Sequence, residues 1–131
     1  MFEVEKIRAL IAKGEGLNVE FKRSHEVLSR SVFETICAFL NRKGGYALLG
    51  VKDNGTIEGV REDTLQAQLK TLASDMTNQQ IISPVIRLKA EIVEIDGKKI
   101  ICIYVPESEQ VHSYKGTYYD RQNEVDIKLV T

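Results

Sequence analysis

Between Leu17 and Val51 the period of the apolar residues changes twice, and that change limits what the chain can fold into. Leu17, Val19 and Phe21 alternate with Asn18, Glu20 and Lys22, as in a strand with one face in water. Phe33, Ile36, Cys37 and Leu40 then recur at i, i+3, i+4 and i+7, so the spacing predicts a helix over roughly 30 to 42, with Ser29 or Ser31 as its N-cap. Tyr46 to Val51 is a nearly continuous apolar run, as in a buried strand. Between helix and strand, Asn41 ends the helix and Gly44 and Gly45 supply the backbone freedom for the turn. Strand, helix and strand in this order make a βαβ candidate, although the period alone does not say that the strands run parallel.

Around this unit, Val4, Ile7, Leu10 and Ile11 predict a first helix over 3 to 13, stopped at Gly14. Asp53-Asn54-Gly55 turns the chain. Leu65, Leu69, Leu72 and Met76 predict a helix after Asp63 that ends near Asn78, with Gln66 as a capping-box partner. Ile86, Leu88, Ala90 and Ile92 alternate, Asp96-Gly97 forms a hairpin turn, and Lys99 to Val105 returns as a buried strand closed by Pro106. Tyr114-Lys-Gly-Thr117 is a further turn, and Val125, Ile127 and Leu129 give a last alternation. The fold class is therefore α+β: a mixed β-sheet with a βαβ unit, helices packed on the sheet, and C-terminal β-hairpins. A chain of 131 residues makes one domain, residues 1–131, with a core that needs no disulfide or metal staple.

No apolar run approaches the ~18 residues of a membrane span. Met1-Phe-Glu-Val-Glu-Lys6 lacks the basic start and apolar centre of a secretory signal. Cys37 and Cys102 stand at no metal-ligand or redox spacing, and Cys37 falls on the core stripe of its helix, so a reduced, cytoplasmic protein is expected. His25 and His112 are isolated and read as surface or core residues, not metal ligands. The net charge of -1 is not that of a basic nucleic-acid-binding domain, yet the charge is segregated. Residues 21 to 52 carry Lys22, Arg23, Arg30, Arg42, Lys43 and Lys52 against only Glu26 and Glu34. Arg42 and Lys43 stand at a helix end beside Gly44 and Gly45, whose N–H groups suit a phosphate oxygen; the same two cations also complement a helix dipole. Lys22, Arg23 and His25, on and after the wet face of the first strand, extend that patch.

Three linked motifs carry a resemblance. Asn18-Val-Glu-Phe-Lys22, then Cys37-Ala-Phe-Leu-Asn41 leading to Gly44-Gly45, then Leu49-Gly-Val51 with Asp53, Gly55, Gly59 and Val60 closely resemble the Schlafen AlbA-like domain, from about Gly14 to Asn123. That family is a DNA-binding module of microbial transcriptional regulators, some of them labelled helicase-related or divergent ATPases, and it is similar to part of the Schlafen nuclease core. The resemblance implies a DNA-binding domain of a transcriptional regulator, with Lys22, Arg23, Asn41, Arg42, Lys43, Gly44, Gly45 and Arg121 at the nucleic acid, DNA before RNA, and a homodimer to double the basic face. It also implies an alternative, a metal-dependent endoribonuclease in which Glu15, Glu20 and Asp53 are the catalytic carboxylates and hold Mg²⁺ or Mn²⁺. With strand starts aligned, Asp53 lies four residues, about 13 Å, beyond Glu20, so that site needs a shifted register. No cofactor is expected for the DNA-binding reading, and ATP hydrolysis lacks a Walker Lys-Ser/Thr after the glycines. A protein-interaction module without nucleic acid is the third reading. The chain departs from the family at Val111, where a proline is common, and at Asn123, where the family has glycine. Larger members continue into a C-terminal region, so the resemblance describes either an excised N-terminal domain or a minimal stand-alone form.

Overall fold

The computed structural model describes residues 2–129. The predicted βαβ unit is present: β1 (Val19–Lys22) lies parallel to β2 (Gly45–Leu49), and α2 (Val32–Leu40) connects them. β5 (Lys98–Val105) pairs antiparallel with β2, and β4 (Lys89–Ile95) with β5, so the first sheet is mixed, in the order β1-β2-β5-β4. Asp96 and Gly97 both take positive φ, as a two-residue turn between β4 and β5 requires. A second, antiparallel sheet runs β3 (Ile82–Ser83), β6 (Ser113–Tyr114), β7 (Thr117–Gln122) and β8 (Val125–Lys128).

Two apolar layers form, one on each face of the first sheet. α1 (Val4–Lys13) sets Ile7, Leu10 and Ile11 against Val19, Phe21, Leu48, Val93, Ile100 and Cys102. On the other face α2 and α3 (Leu65–Met76) cover Ala47, Leu49, Ile101, Ile103 and Val105. The second sheet closes over the far side of α2, which is why Val32, Thr35, Ala38 and Phe39 are as buried as the predicted stripe of Phe33, Ile36, Cys37 and Leu40. A helix apolar on every side needs partners on every side. The Cys37 thiol donates to the His112 carbonyl at 3.3 Å, and burial pushes its pKa up to about 11. His112 is a core histidine, its ring nitrogens 2.7 Å from the Ser108 hydroxyl and the Pro84 carbonyl.

Three expectations change. The alternation at Ile86 and Leu88 is not yet strand: β4 begins at Lys89, and both residues pack on the core from a connecting segment whose Ile86 N–H donates to the Met76 carbonyl. Gln66 forms no capping box, because α3 starts one residue later, with Thr64 at the N-cap and no side-chain cap bond. The face of β1 read as wet is covered: Glu20 is buried beneath the second sheet. Among the described residues no helix is long and apolar enough to cross a membrane.

Gly44 and Gly45 are both buried, and what they allow is close backbone approach. A Cβ on Gly44, whose φ is 76°, would lie 2.3 Å from the Val105 carbonyl oxygen, and one on Gly45 would lie 2.6 Å from that of Asn18. Gly45→Ala is therefore expected to lower stability by about 1–3 kcal/mol through overpacking. Gly16→Ala, with nothing within 4 Å of the added carbon, should stay within about 0.5 kcal/mol of wild type in the same urea titration. Equal midpoints for the two variants would refute the packing argument.

Candidate nucleic-acid interface

The carboxylates singled out by the sequence converge only in part. Glu15 and Glu20 meet through a side-chain hydrogen bond. Glu15 also accepts the Phe21 N–H at 3.0 Å, which caps the outer edge of β1. Asp53 is not drawn in: Glu20 pairs with Ala47, six residues before Asp53, so the register shifts away from a trio. The third acid near Glu20 is instead Asp126 on β8, and a guanidinium stands between the two. Arg121 Nη1 lies 3.1 Å from Glu20 Oε1 and 2.8 Å from Asp126 Oδ1; Nε donates to the Gly16 carbonyl at 3.0 Å and Nη2 to that of Val19 at 3.1 Å. The carbon of the guanidinium sits 4.9 Å from the centre of the Phe39 ring. Thr35 on α2 donates to the other Asp126 oxygen at 2.6 Å.

This donor set does not suit a divalent cation. The position a metal would take between Glu20 and Asp126 is filled by Arg121, and among the described residues no three His, Cys, Asp or Glu side chains are placed to hold a metal ion. Arg121, which the resemblance sets at the nucleic acid, is 1% exposed and spends its donors inside the protein.

The basic segment separates into two ends. Parallel pairing sets Lys22 opposite Leu49, at the C-terminal end of β2, whereas Arg42 and Lys43 precede its N-terminal end. Lys22, Arg23 and His25 therefore do not extend the Arg42–Lys43 turn. At the far end Lys22 donates to the Ser31 hydroxyl at 2.8 Å, Arg23 binds both oxygens of Glu58, and a His25 ring nitrogen is 2.7 Å from the Gly59 carbonyl. Arg30 pairs with Asp75 at 3.2 Å.

At the near end the turn is partly structural. Asn41 donates to the carbonyls of His112 and Tyr119 at 2.8 and 3.0 Å and accepts the His112 N–H at 2.7 Å, which fixes the second sheet to the end of α2. The Gly44 N–H is taken by the Phe39 carbonyl at 2.8 Å. Arg42 and Lys43 remain exposed. Arg42 reaches Asp120 at 3.1 Å, a pairing of two half-exposed side chains that is worth only about 0–1 kcal/mol. Lys43 has no ion-pair partner among the described residues. Lys6, Tyr46, Lys89 and Tyr104, which period and charge counts do not single out, gather at this same end. Strand pairing sets Tyr46 opposite Tyr104 and Tyr104 opposite Lys89, and α1 brings Lys6 over Tyr46.

An α+β domain of two sheets around one buried helix, its acidic cluster closed by an arginine and an exposed Arg42–Lys43 turn at one end of a sheet, is the class of protein these observations define. The chain belongs to the Schlafen AlbA_2 family, whose sequence profile matches residues 15–130. Solved structures share the fold, two of them as follows. One is the N-terminal domain of a RecG-related protein of Nitrosomonas europaea, named for an ATP-dependent DNA helicase: TM-score 0.59, 22% identity, covering 83% of this chain and 76% of that one. The other is the DIP2311 protein of Corynebacterium diphtheriae: TM-score 0.64, 14% identity, covering 96% of this chain but 26% of that one.

Burial first, then the hydrogen bond that the protonated Glu20 donates to Glu15, pushes the Glu20 carboxyl up to about 8, while Lys22 and Arg121 pull the other way. The folded protein thus holds a proton that the unfolded chain releases near pH 4 to 5. Its stabilisation is complete below the unfolded value and is lost as pH rises through about 8. Melting temperature is expected to fall across this window in wild type. The part of the slope due to this group should vanish in Glu20→Gln, and an unchanged slope in that variant would contradict the assignment.

Proposed function

We propose that the protein is a nucleic-acid-binding domain, of the kind a cytoplasmic transcriptional regulator carries, with DNA as its first ligand. Membership of the Schlafen AlbA_2 family and the fold shared with a domain from a protein named for a DNA helicase support this reading. The observation that carries it is the turn between α2 and β2. There Arg42 and Lys43 stand in solvent at one end of the first sheet, Lys43 without an ion-pair partner among the described residues. The other arginines of the basic segment are neutralised by carboxylates: Arg23 by Glu58 and Arg30 by Asp75. An unpaired cation can neutralise a phosphate and release its counterion without first breaking a bond to the protein.

With so few free cations on one copy, a homodimer that sets two such turns side by side supplies the additional phosphate contacts. Light scattering reads that assembly directly, and a monomer at working concentrations argues against it.

The test of function is duplex DNA binding followed by anisotropy as salt is raised. Lys43→Ala is expected to lower the slope of log K against log salt by about 0.9 per lost phosphate contact. Arg42→Ala should cost less, since Asp120 already offsets its charge. Lys22→Ala, at the other end of the strands, should change nothing. A Lys43→Ala protein with unaltered affinity and slope would refute this interface, and absence of binding at low salt would leave protein interaction as the role.

A further inference from the structure

Beside the Arg42–Lys43 turn, the face of the first sheet that carries α1 ends in an aromatic cluster. Tyr46 on β2 and Tyr104 on β5 are direct cross-strand partners, with ring centres 5.2 Å apart and tilted by 52°. Phe2, just before α1, meets Tyr46 edge-on at 6.1 Å. Two ammonium groups lie over these rings, Lys6 at 5.4 Å from the centre of Tyr46 and Lys89 at 5.0 Å from that of Phe2. Together with Glu3 these residues line an open groove of about 400 Å³, toward the low end of the volumes that hold ligands.

Phe2 and Tyr46 pack on the apolar layer beneath α1, but Tyr104 lies beyond it, 38% exposed. A cluster that only sealed that layer would need neither this exposed ring nor cations on its rim. The charges at the groove itself balance. Glu91 accepts the Phe2 N–H at 3.2 Å and stands 3.9 Å from Lys89, and Glu3 lines the rim. Against these two stand Lys6 and Lys89, both exposed and held over ring faces.

We propose that this groove binds single-stranded nucleic acid, with an unpaired base stacked on the Tyr46–Tyr104 pair and Lys6 and Lys89 on the flanking phosphates. The inference rests on the nucleic-acid reading above and adds the strand state and the residues. Aromatic faces flanked by flexible cations fit a ligand that alternates flat π-surfaces with negative charge. Each exposed lysine leaves its ring for a phosphate as a base takes its place on the π-face. A duplex hides its base faces in the stack and offers the groove only its backbone, so the rings select single strands. Stacking itself is indifferent to ribose or deoxyribose, and both backbones belong in the test.

Labelled short oligo(dT), short oligo(U) and a mixed-sequence duplex are titrated by anisotropy into wild type, Tyr104→Ala, Tyr104→Phe and the double variant Lys6→Gln with Lys89→Gln. Binding of at least one single strand is expected, and the stronger of the two names the preferred backbone. Tyr104→Ala should weaken it about 5- to 150-fold, the range for loss of one stacked base, while Tyr104→Phe keeps it. The lysine variant should flatten the salt slope by about 1.4, at roughly 0.7 per single-strand contact. Duplex binding should not respond to Tyr104→Ala. Single-strand binding indifferent to Tyr104→Ala, or duplex binding alone, overturns this inference and leaves the domain's nucleic-acid role intact; no binding to any probe overturns both. If Tyr104→Ala melts before the assay, the lysine variant, altered only at exposed ends, takes its place: a flattened single-strand slope supports the groove, and an unchanged one overturns it.

Discussion

A guanidinium removed from water is tolerated only where acceptors and counter-charge replace its hydration, and Arg121 is a buried cation satisfied in this way. Four of its five N–H groups are used. Two reach backbone carbonyls at the start of the first sheet, Gly16 and Val19, and two reach carboxylates from different sheets, Glu20 on β1 and Asp126 on β8. Its face rests on Phe39 of α2. One side chain thereby joins the edge of the first sheet, the central helix and the last hairpin. A lysine, with a single point of charge, has no geometry to do this. Removing the arginine would strand the part-buried Asp126 carboxylate and leave Glu20, which keeps its proton below about pH 8, without its partner, a loss of up to about 3–5 kcal/mol by analogy with other broken buried pairs.

The same clamp decides what the surface can do. Glu15 is drawn into edge protection and Glu20 and Asp126 onto the Arg121 guanidinium, which closes the acidic cluster to other cations. Asn41 works as a bracket for the second sheet, and Gly44 and Gly45 as points of backbone contact. The Arg42–Lys43 turn and the tyrosine–lysine groove beside it stay in solvent. The proposed interface therefore lies not in the middle of the motifs but at the end of the sheet they build.

The βαβ unit is legible in the sequence because it rests on local periodicity: α2 buries Phe33, Ile36, Cys37 and Leu40, and β2 is an unbroken apolar strand. Asp96-Gly97 is legible for an equally local reason, the positive φ its turn demands. The second sheet is visible as hairpins but not as a layer. Its strands carry Tyr118, Asp120, Arg121 and Asp126, whose polarity masks the surface they bury on α2. The fate of Glu20 follows from that. Alternation marks the two faces of β1 but cannot say that an arginine a hundred residues away in sequence covers one of them. The basic patch reads as continuous because charge along the sequence carries no register. Pairing of Lys22 with Leu49 sends its two halves to opposite ends. Tyr46 and Tyr104 give no sequence signal for the same reason, since nothing short of the β2–β5 register makes them neighbours.

The central claim, that Arg121 is a structural clamp and not a ligand contact, is tested most directly by the Nε–H resonance of Arg121 in a ¹H–¹⁵N spectrum. A proton held on the Gly16 carbonyl and shielded by two sheets should exchange slowly with water and keep its position when oligonucleotide is added to saturation. A resonance that exchanges as fast as those of the exposed arginines, or that moves with the bound fraction of nucleic acid, would contradict the account.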